Sequence, residues 1–318
     1  MDIMHKLSLA GIIPVIKVDN AEDAVPLCKA LADGGLPVAE ITFRTDAAEE
    51  SIRRVHKELP HVLLGAGTVL TVEQADRAVA AGAAYIVSPG INPEVVRHCL
   101  KIGLPILPGC ANPTDVDVAL SLGLKTVKFF PAEAMGGLKV IKALSGPYVD
   151  VTFVPTGGVG EENLLDYLNF NKVVACGGSW MVDQKAIHLK DWGKIGELTR
   201  NAVTLMLGFE LKHIGVNSGN PEQAMKDATA LAKLLGWPVK DGNSSTFTGA
   251  AFEFMKKPFR GTHGHIALGV NYIGRARWHL EQRGFAFDDD SASFKDGRMI
   301  AIYFKDEIAG FAFHILQK

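Results

Sequence analysis

The chain has 318 residues, 47% of them hydrophobic, and sets 33 Lys and Arg against 35 Asp and Glu for a formal charge of −2. So even a balance recommends neither nucleic acid nor an anionic membrane as partner, and no stretch is long enough to span a bilayer. Length and apolar content suffice for two soluble domains, each with a core of its own.

The apolar start at 7–18 is interrupted by Pro14 and Lys17 and is followed by no small-residue cleavage pattern, so it reads as structure rather than as a leader. Strand-like runs then fall at 12–18, 38–44, 62–68, 85–88, 105–108, 125–130, 151–156 and 172–176, separated by helical segments of which the last covers 191–207. Glycines stand where the helices should end, as in Asp33-Gly34-Gly35, Ala81-Gly82, Ile102-Gly103 and Leu122-Gly123. Eight strand–helix units within residues 1–207 predict an α/β domain of the (β/α)₈ TIM-barrel type. A doubly wound sheet is the weaker rival, because no glycine-rich dinucleotide fingerprint follows the first strand. All four cysteines (Cys28, Cys99, Cys110, Cys176) lie in this part without a CxxC pair, as reduced thiols of a cytoplasmic protein would.

In such a barrel, chemistry gathers at the C-terminal ends of the strands. On the second strand Glu40, Thr42 and Arg44 share one parity, and three polar groups facing an interior are costly without partners. The sixth run, Val127-Lys128-Phe129-Phe130-Pro131-Ala132-Glu133, carries a single lysine among apolar neighbours. Were both faces of that strand buried, the surroundings would favour the neutral amine, the form that attacks a carbonyl, which makes Lys128 a Schiff-base candidate. The alternative is a lysine on an edge strand with its amine in water. Strands seven and eight end Pro155-Thr156-Gly157-Gly158 and Cys176-Gly177-Gly178-Ser179, glycine pairs whose backbone N–H groups can approach an anion such as phosphate.

Six motifs occur in one order: Glu40-Ile41-Thr42-Phe43-Arg44-Thr45, Gly65-Ala66-Gly67-Thr68-Val69-Leu70, Ser88-Pro89-Gly90, Lys128-Phe129-Phe130-Pro131-Ala132-Glu133, Pro155-Thr156-Gly157-Gly158 and Gly177-Gly178-Ser179-Trp180. Together they closely resemble the family of 2-keto-3-deoxy-6-phosphogluconate and 4-hydroxy-2-oxoglutarate aldolases over 1–207. The resemblance implies a class I aldolase that releases pyruvate without a cofactor and assembles as a homotrimer. By the same resemblance Lys128 is the Schiff-base lysine and Glu40 the proton-shuttling acid/base. Arg44 and Thr68 would hold the pyruvyl carboxylate, Pro89 and Phe130 pack around the imine, and Thr156, Gly157, Gly158, Gly178 and Ser179 line the substrate and phosphate pocket. Cys110-Ala111-Asn112 departs from the small Ser/Thr pair of some relatives, which bears on preference beyond the pyruvyl half.

Residues 208–318 form a second domain with an internal duplication. Lys212-His213-Ile214-Gly215-Val216-Asn217 is echoed by Gly264-His265-Ile266-Ala267-Leu268-Gly269-Val270-Asn271, and Gly249–Lys257 by Gly310–Lys318. Each half reads strand, helix, then several strands, so an α+β domain of two paired βαβββ modules is expected. This tail resembles the vicinal oxygen chelate (glyoxalase and bleomycin-resistance) superfamily, in which the first and last strand of each module supply metal ligands. The matching positions are His213, Glu253, His265 and His314, with His314 standing where a carboxylate is usual. Imidazole and carboxylate donors suit zinc, manganese, nickel or iron. Two roles stand open for the tail: a metal-dependent step on a related metabolite, or a catalytically silent ligand-binding or assembly module. The partner expected throughout is a small 2-keto acid, with or without phosphate.

Overall fold

A computed structural model describes residues 2–318 and resolves two compact units, one ending at Met206 and the other Leu207–Lys318. The apolar start resolves into a helix, Ile3–Ala10, and a strand, β1 (Ile12–Ile16), separated by Gly11 in the left-handed region at φ 72°. A residue with a β-carbon is disfavoured in that conformation, so the glycine lets one apolar run serve two elements.

The strands that follow are β2 (Val38–Thr42), β3 (Leu63–Gly67), β4 (Tyr85–Val87), β5 (Ile106–Leu107), β6 (Gly109–Cys110), β7 (Thr126–Phe129), β8 (Thr152–Pro155) and β9 (Cys176–Gly178). They pair in parallel as two arcs, β5-β4-β3-β2-β1-β9 and β6-β7-β8. The arcs meet at Pro108, whose carbonyl accepts the Lys128 N–H, and at bridges Phe153↔Val173 and Thr156↔Gly177. The result is a curled parallel sheet covered by helices, an α/β barrel-like domain. The second strand, read as 38–44, ends at Thr42, so Arg44 stands in the turn beyond it, and two other strands depart further from the sequence reading. The fifth is split because Pro108 has no N–H to give a ladder. The last is centred on Cys176–Gly178 rather than 172–176, since glycine is a poor strand former and its pairing with β1 is set by neighbours.

Helix 48–58 shows how the outer layer is built. Ala48, Ser51, Ile52 and Val55, at helical spacing, are buried, while Glu49 and Glu50 on the outer side pair with Arg53, Arg54 and Arg77. All five residues of β2 are buried, as a strand covered on both faces requires.

The second unit runs β10 (Glu210–Asn217), helix Pro221–Leu235, β11 (Val239–Asp241), β12 (Ser245–Thr248) and β13 (Phe252–Met255). It then repeats as β14 (Gly264–Val270), helix Ile273–Gln282, β15 (Phe287–Lys295), β16 (Arg298–Ile308) and β17 (Phe311–Gln317). Among the described residues these strands form one sheet in the order β11-β12-β13-β10-β14-β17-β16-β15. The centre is antiparallel, with Ile214 opposite Ile266; on either side lie equivalent parallel pairs, Gly215↔Glu253 and Ala267↔His314. The duplication seen in sequence is therefore a local two-fold relation of register. Ala224 and Ala228 of the first module's helix pack on Phe254, and the Thr248 hydroxyl donates to the Ala228 carbonyl.

Candidate active site and metal centre

In the barrel, β7 places Lys128 between Gly109 and Val154, and β2 places Glu40 between Val15 and Gly65. Both side chains are buried, with 5% and 3% of their residues exposed, and Lys128 Nζ stands 3.6 Å from Glu40 Oε1. That carboxylate oxygen has no hydrogen-bond partner among the described residues. A buried acceptor left open is costly in a folded protein and marks a place where a further polar group is received. Room for the carboxylate comes from Gly67, where a β-carbon would lie 2.2 Å from Glu40 Oε1.

Arg44 does not turn to Glu40. Its Nε donates to Thr68 Oγ1 at 3.2 Å, and Thr68 is held at φ 57°, a left-handed conformation unusual for a threonine. Thr42, which shares parity with Glu40 and Arg44, spends its hydroxyl on the Ile16 carbonyl at 2.9 Å. Lys128 Nζ lies 5.0 Å from the centre of the Phe130 ring.

A cavity of about 840 Å³ opens here, walled among others by Arg44, Phe130, Thr156, Gly157, Gly158, Gly178 and Ser179. Gly157 and Gly158 are both left-handed, at φ 98° and 80°, which turns the backbone of this loop as no ordinary residue would. Lys128, Glu40, Thr68 and Pro89 are not among the walls; the Lys128–Glu40 pair is buried, with Lys128 Nζ beside the Phe130 ring, and the Pro89 carbonyl closes the space beside Gly109, the ladder partner of Lys128. A β-carbon on Gly178 would come within 1.8 Å of the Trp180 ring, so a larger residue there displaces the indole before it meets any ligand. The sequence reading missed Lys17, Asp19, Trp180 and His188, which also line the cavity. Lys17 and Asp19 pair at 2.8 Å, and only the tertiary fold brings the 180–188 segment beside them. Cys110 is buried, and burial pushes its thiol up to about 12, so it remains protonated and inert.

In the second unit the duplicated strands bring four side chains together. One nitrogen from each of His213, His265 and His314 lies within 4.8 Å of the others. Glu253 Oε2 is 3.1 Å from His265 Nε2 and 3.5 Å from His213 Nε2. Small residues make the space: His213 faces Ala267 across the ladder, and a β-carbon on Gly215 would lie 2.0 Å from His265 Cε1. Burial, reinforced by the neighbouring imidazoles, pushes His314 down to about 3, and burial likewise lowers His213, so both are neutral near pH 7. Burial alone would raise Glu253, but hydrogen bonds with His265 and Ser245, with the electrostatic attraction of the His265 and His213 rings, outweigh it and hold the carboxyl below its usual range. Around the cluster Ser245 donates to Glu253 Oε1 at 2.6 Å, and Tyr303 stacks on His314 with ring centres 4.3 Å apart and planes 5° from parallel. Neither residue has a signal in the sequence, because both are placed by cross-strand register alone.

Residues 3–198 match the family described as KDPG and KHG aldolase. A 2-dehydro-3-deoxy-phosphogluconate aldolase of Haemophilus influenzae is 48% identical over 204 residues, spanning 64% of this chain and 96% of its own. The barrel is also similar to the KDPG aldolase of Legionella pneumophila crystallised with pyruvate as a covalent carbinolamine intermediate, with a TM-score of 0.61, 39% identity and coverage of 63% of this chain and 98% of that one. The Zymomonas mobilis ZM4 2-keto-3-deoxy-6-phosphogluconate aldolase with 3-phosphoglycerate aligns with a TM-score of 0.60 and 38% identity, over 63% of this chain and 94% of that one.

Proposed function

Because the chain belongs to the KDPG and KHG aldolase family and is an aldehyde-lyase through its N-terminal unit, we propose that it cleaves 2-keto-3-deoxy-6-phosphogluconate or 4-hydroxy-2-oxoglutarate type substrates to pyruvate and an aldehyde, with Lys128 and Glu40 as the reacting pair. The observation that carries this reading is the buried lysine 3.6 Å from a buried carboxylate oxygen that has no hydrogen-bond partner among the described residues. The neutral Lys128 amine attacks the C2 carbonyl, and the carbinolamine loses water to give a protonated imine. Glu40 takes the C4 hydroxyl proton as the C3–C4 bond breaks; the bonding electrons pass into the imine and the aldehyde leaves. The same carboxyl then returns a proton to C3 of the enamine, and hydrolysis of the imine frees pyruvate and Lys128. Arg44, fixed by Thr68, would hold the substrate carboxylate, and Phe130 and Pro89 would pack the imine region. Thr156, Gly157, Gly158, Gly178 and Ser179 would receive the distal phosphate.

Borohydride with pyruvate should add mass to Lys128, and Lys128→Ala should abolish cleavage; labelling of another lysine, or retained activity, would overturn the assignment. Since substitution of Gly178 disturbs Trp180, the cleaner probe of phosphate binding is Ser179→Asp. It should raise KM at least tenfold for the phosphorylated substrate and little for 4-hydroxy-2-oxoglutarate. Equal losses would remove the phosphate role.

For the second unit we infer that His213, Glu253, His265 and His314 hold one divalent metal. The fit rests on the donor chemistry: neutral imidazoles beside an ionised carboxylate, with both ring nitrogens of buried His314 and Nδ1 of His265 lacking hydrogen-bond partners among the described residues. When bound, the metal would supply a Lewis acid for oxygen ligands. The chain's own part is to fix the donors, Ser245 orienting Glu253 and Tyr303 bracing His314. Elemental analysis after metal supplementation should find about one ion per chain, lost in the His213→Ala/His265→Ala protein. A wild-type chain that remains metal-free would make the tail a binding or assembly module.

A further inference from the structure

The glycine loop has no side chains with which to hold its own conformation, yet Gly157 and Gly158 are consecutive left-handed residues. Glycine gives up more conformational freedom on ordering than other residues, so such a loop must be restrained from outside. The restraint comes from the segment that follows the Lys128 strand. Ala132 N–H donates to the Thr156 carbonyl at 2.8 Å and Glu133 N–H to the Gly157 carbonyl at 3.0 Å.

The Glu133 side chain adds what these backbone bonds do not. Its Cβ and Cγ occupy the space beside Gly158, 2.6 Å from where a β-carbon would stand. Its carboxylate accepts a hydrogen bond from the hydroxyl of Tyr167, a residue 1% exposed in helix Leu164–Leu168. Gly137 leaves space for that bond, since a β-carbon there would lie 2.9 Å from the Tyr167 hydroxyl and 3.0 Å from Glu133 Oε1. On the other side Asn163 donates to the Gly158 carbonyl at 3.0 Å and accepts from Gly160 N–H at 2.9 Å. Glu133 is thus fixed at its carboxylate by a buried phenol and lies with its methylene stem against the loop, whereas Lys128 and Glu40 pair with each other.

We propose that Glu133, anchored by Tyr167, is a positioning residue that sets the Gly157–Gly158 backbone and thereby the affinity for the phosphate end of the substrate. It rests on the phosphate reading given above and assigns that reading a determinant outside the cavity wall. Loss of the anchor leaves the amine and its acid/base untouched and releases the loop, so binding should suffer and chemistry should not.

The test uses the full chain with Glu133→Ala, Glu133→Gln and Tyr167→Phe, the last keeping the buried ring should the alanine variant fail to fold. Inorganic phosphate serves as a competitive probe beside the two substrates. Glu133→Ala and Tyr167→Phe should raise both the inhibition constant of phosphate and KM for the phosphorylated substrate by roughly tenfold. Meanwhile kcat, KM for 4-hydroxy-2-oxoglutarate and borohydride trapping of pyruvate should hold within about twofold of the wild type. Glu133→Gln, which keeps the stem and can still accept from Tyr167, should stay close to wild type. Phosphate that competes in the wild type with a constant unchanged by Tyr167→Phe overturns the inference alone. A parallel loss for both substrates, or a fall in trapping, overturns it in favour of a purely structural pair. Phosphate that does not compete even in the wild type overturns the phosphate reading and the inference with it.

Discussion

Glu40 and Lys128 lie on β2 and β7, strands far apart in the chain, and the protein lets them face each other by omitting side chains nearby. Gly67 is the sharpest case, since any β-carbon there would overlap Glu40 Oε1. Gly67→Ala should therefore move the carboxylate off the 3.6 Å approach to Lys128 and lower kcat by about a hundredfold, the scale expected for a misplacement near 1 Å. Pyruvate trapping, which needs the amine more than the shuttle, should fall less. Steady-state kinetics with unfolding curves taken alongside would check this; a loss of stability with kcat intact would show that the glycine serves packing alone. Gly215 repeats the device in the second unit by opening space for the His265 ring.

At the scale of elements, the central β10–β14 pair and its flanking β13 and β17 set the register from which the four tail donors project. That geometry has a pH consequence for the metal-free protein. His314 titrates near 6.5 when unfolded and is pushed down to about 3 in the folded state. Between those values the unfolded chain binds the proton and the folded chain does not, so the stability contributed at neutral pH is lost as pH falls from about 6.5 towards 3. The limiting slope is about 1.4 kcal/mol per pH unit for one histidine, and His213, shifted the same way, adds to it. Denaturant melts of the metal-free chain followed by a tail tryptophan should show this decline, and His314→Phe should flatten it. An unchanged slope would mean that His314 is not buried as a neutral ring.

For the whole molecule, the division into two compact units separates the proposed aldol cleavage from the ion inferred in the tail. The cleavage proposed at Lys128 would use a protonated imine as its electron sink and so would have no need of the ion inferred in the tail. Treating the two-unit chain with EDTA should strip metal from the second unit, measured by elemental analysis, and leave aldol cleavage within about twofold. Cleavage that collapses on chelation and returns with metal would mean that the barrel reaction depends on the ion.

The strand–helix alternation, the tail duplication and the residue types at each strand end could be read along the chain. Periodicity records burial, and duplicated motifs record equivalent register, so both are legible along the chain. The pairing of Arg44 with Thr68 rather than Glu40, the split of the fifth strand at Pro108 and the supporting parts of Gly67, Gly215, Tyr303 and Tyr167 were decided only in three dimensions. Each depends on which side chain arrives from a distant strand. A glycine that yields space and a phenol that anchors a carboxylate leave no periodic trace, because their partners lie far away in sequence.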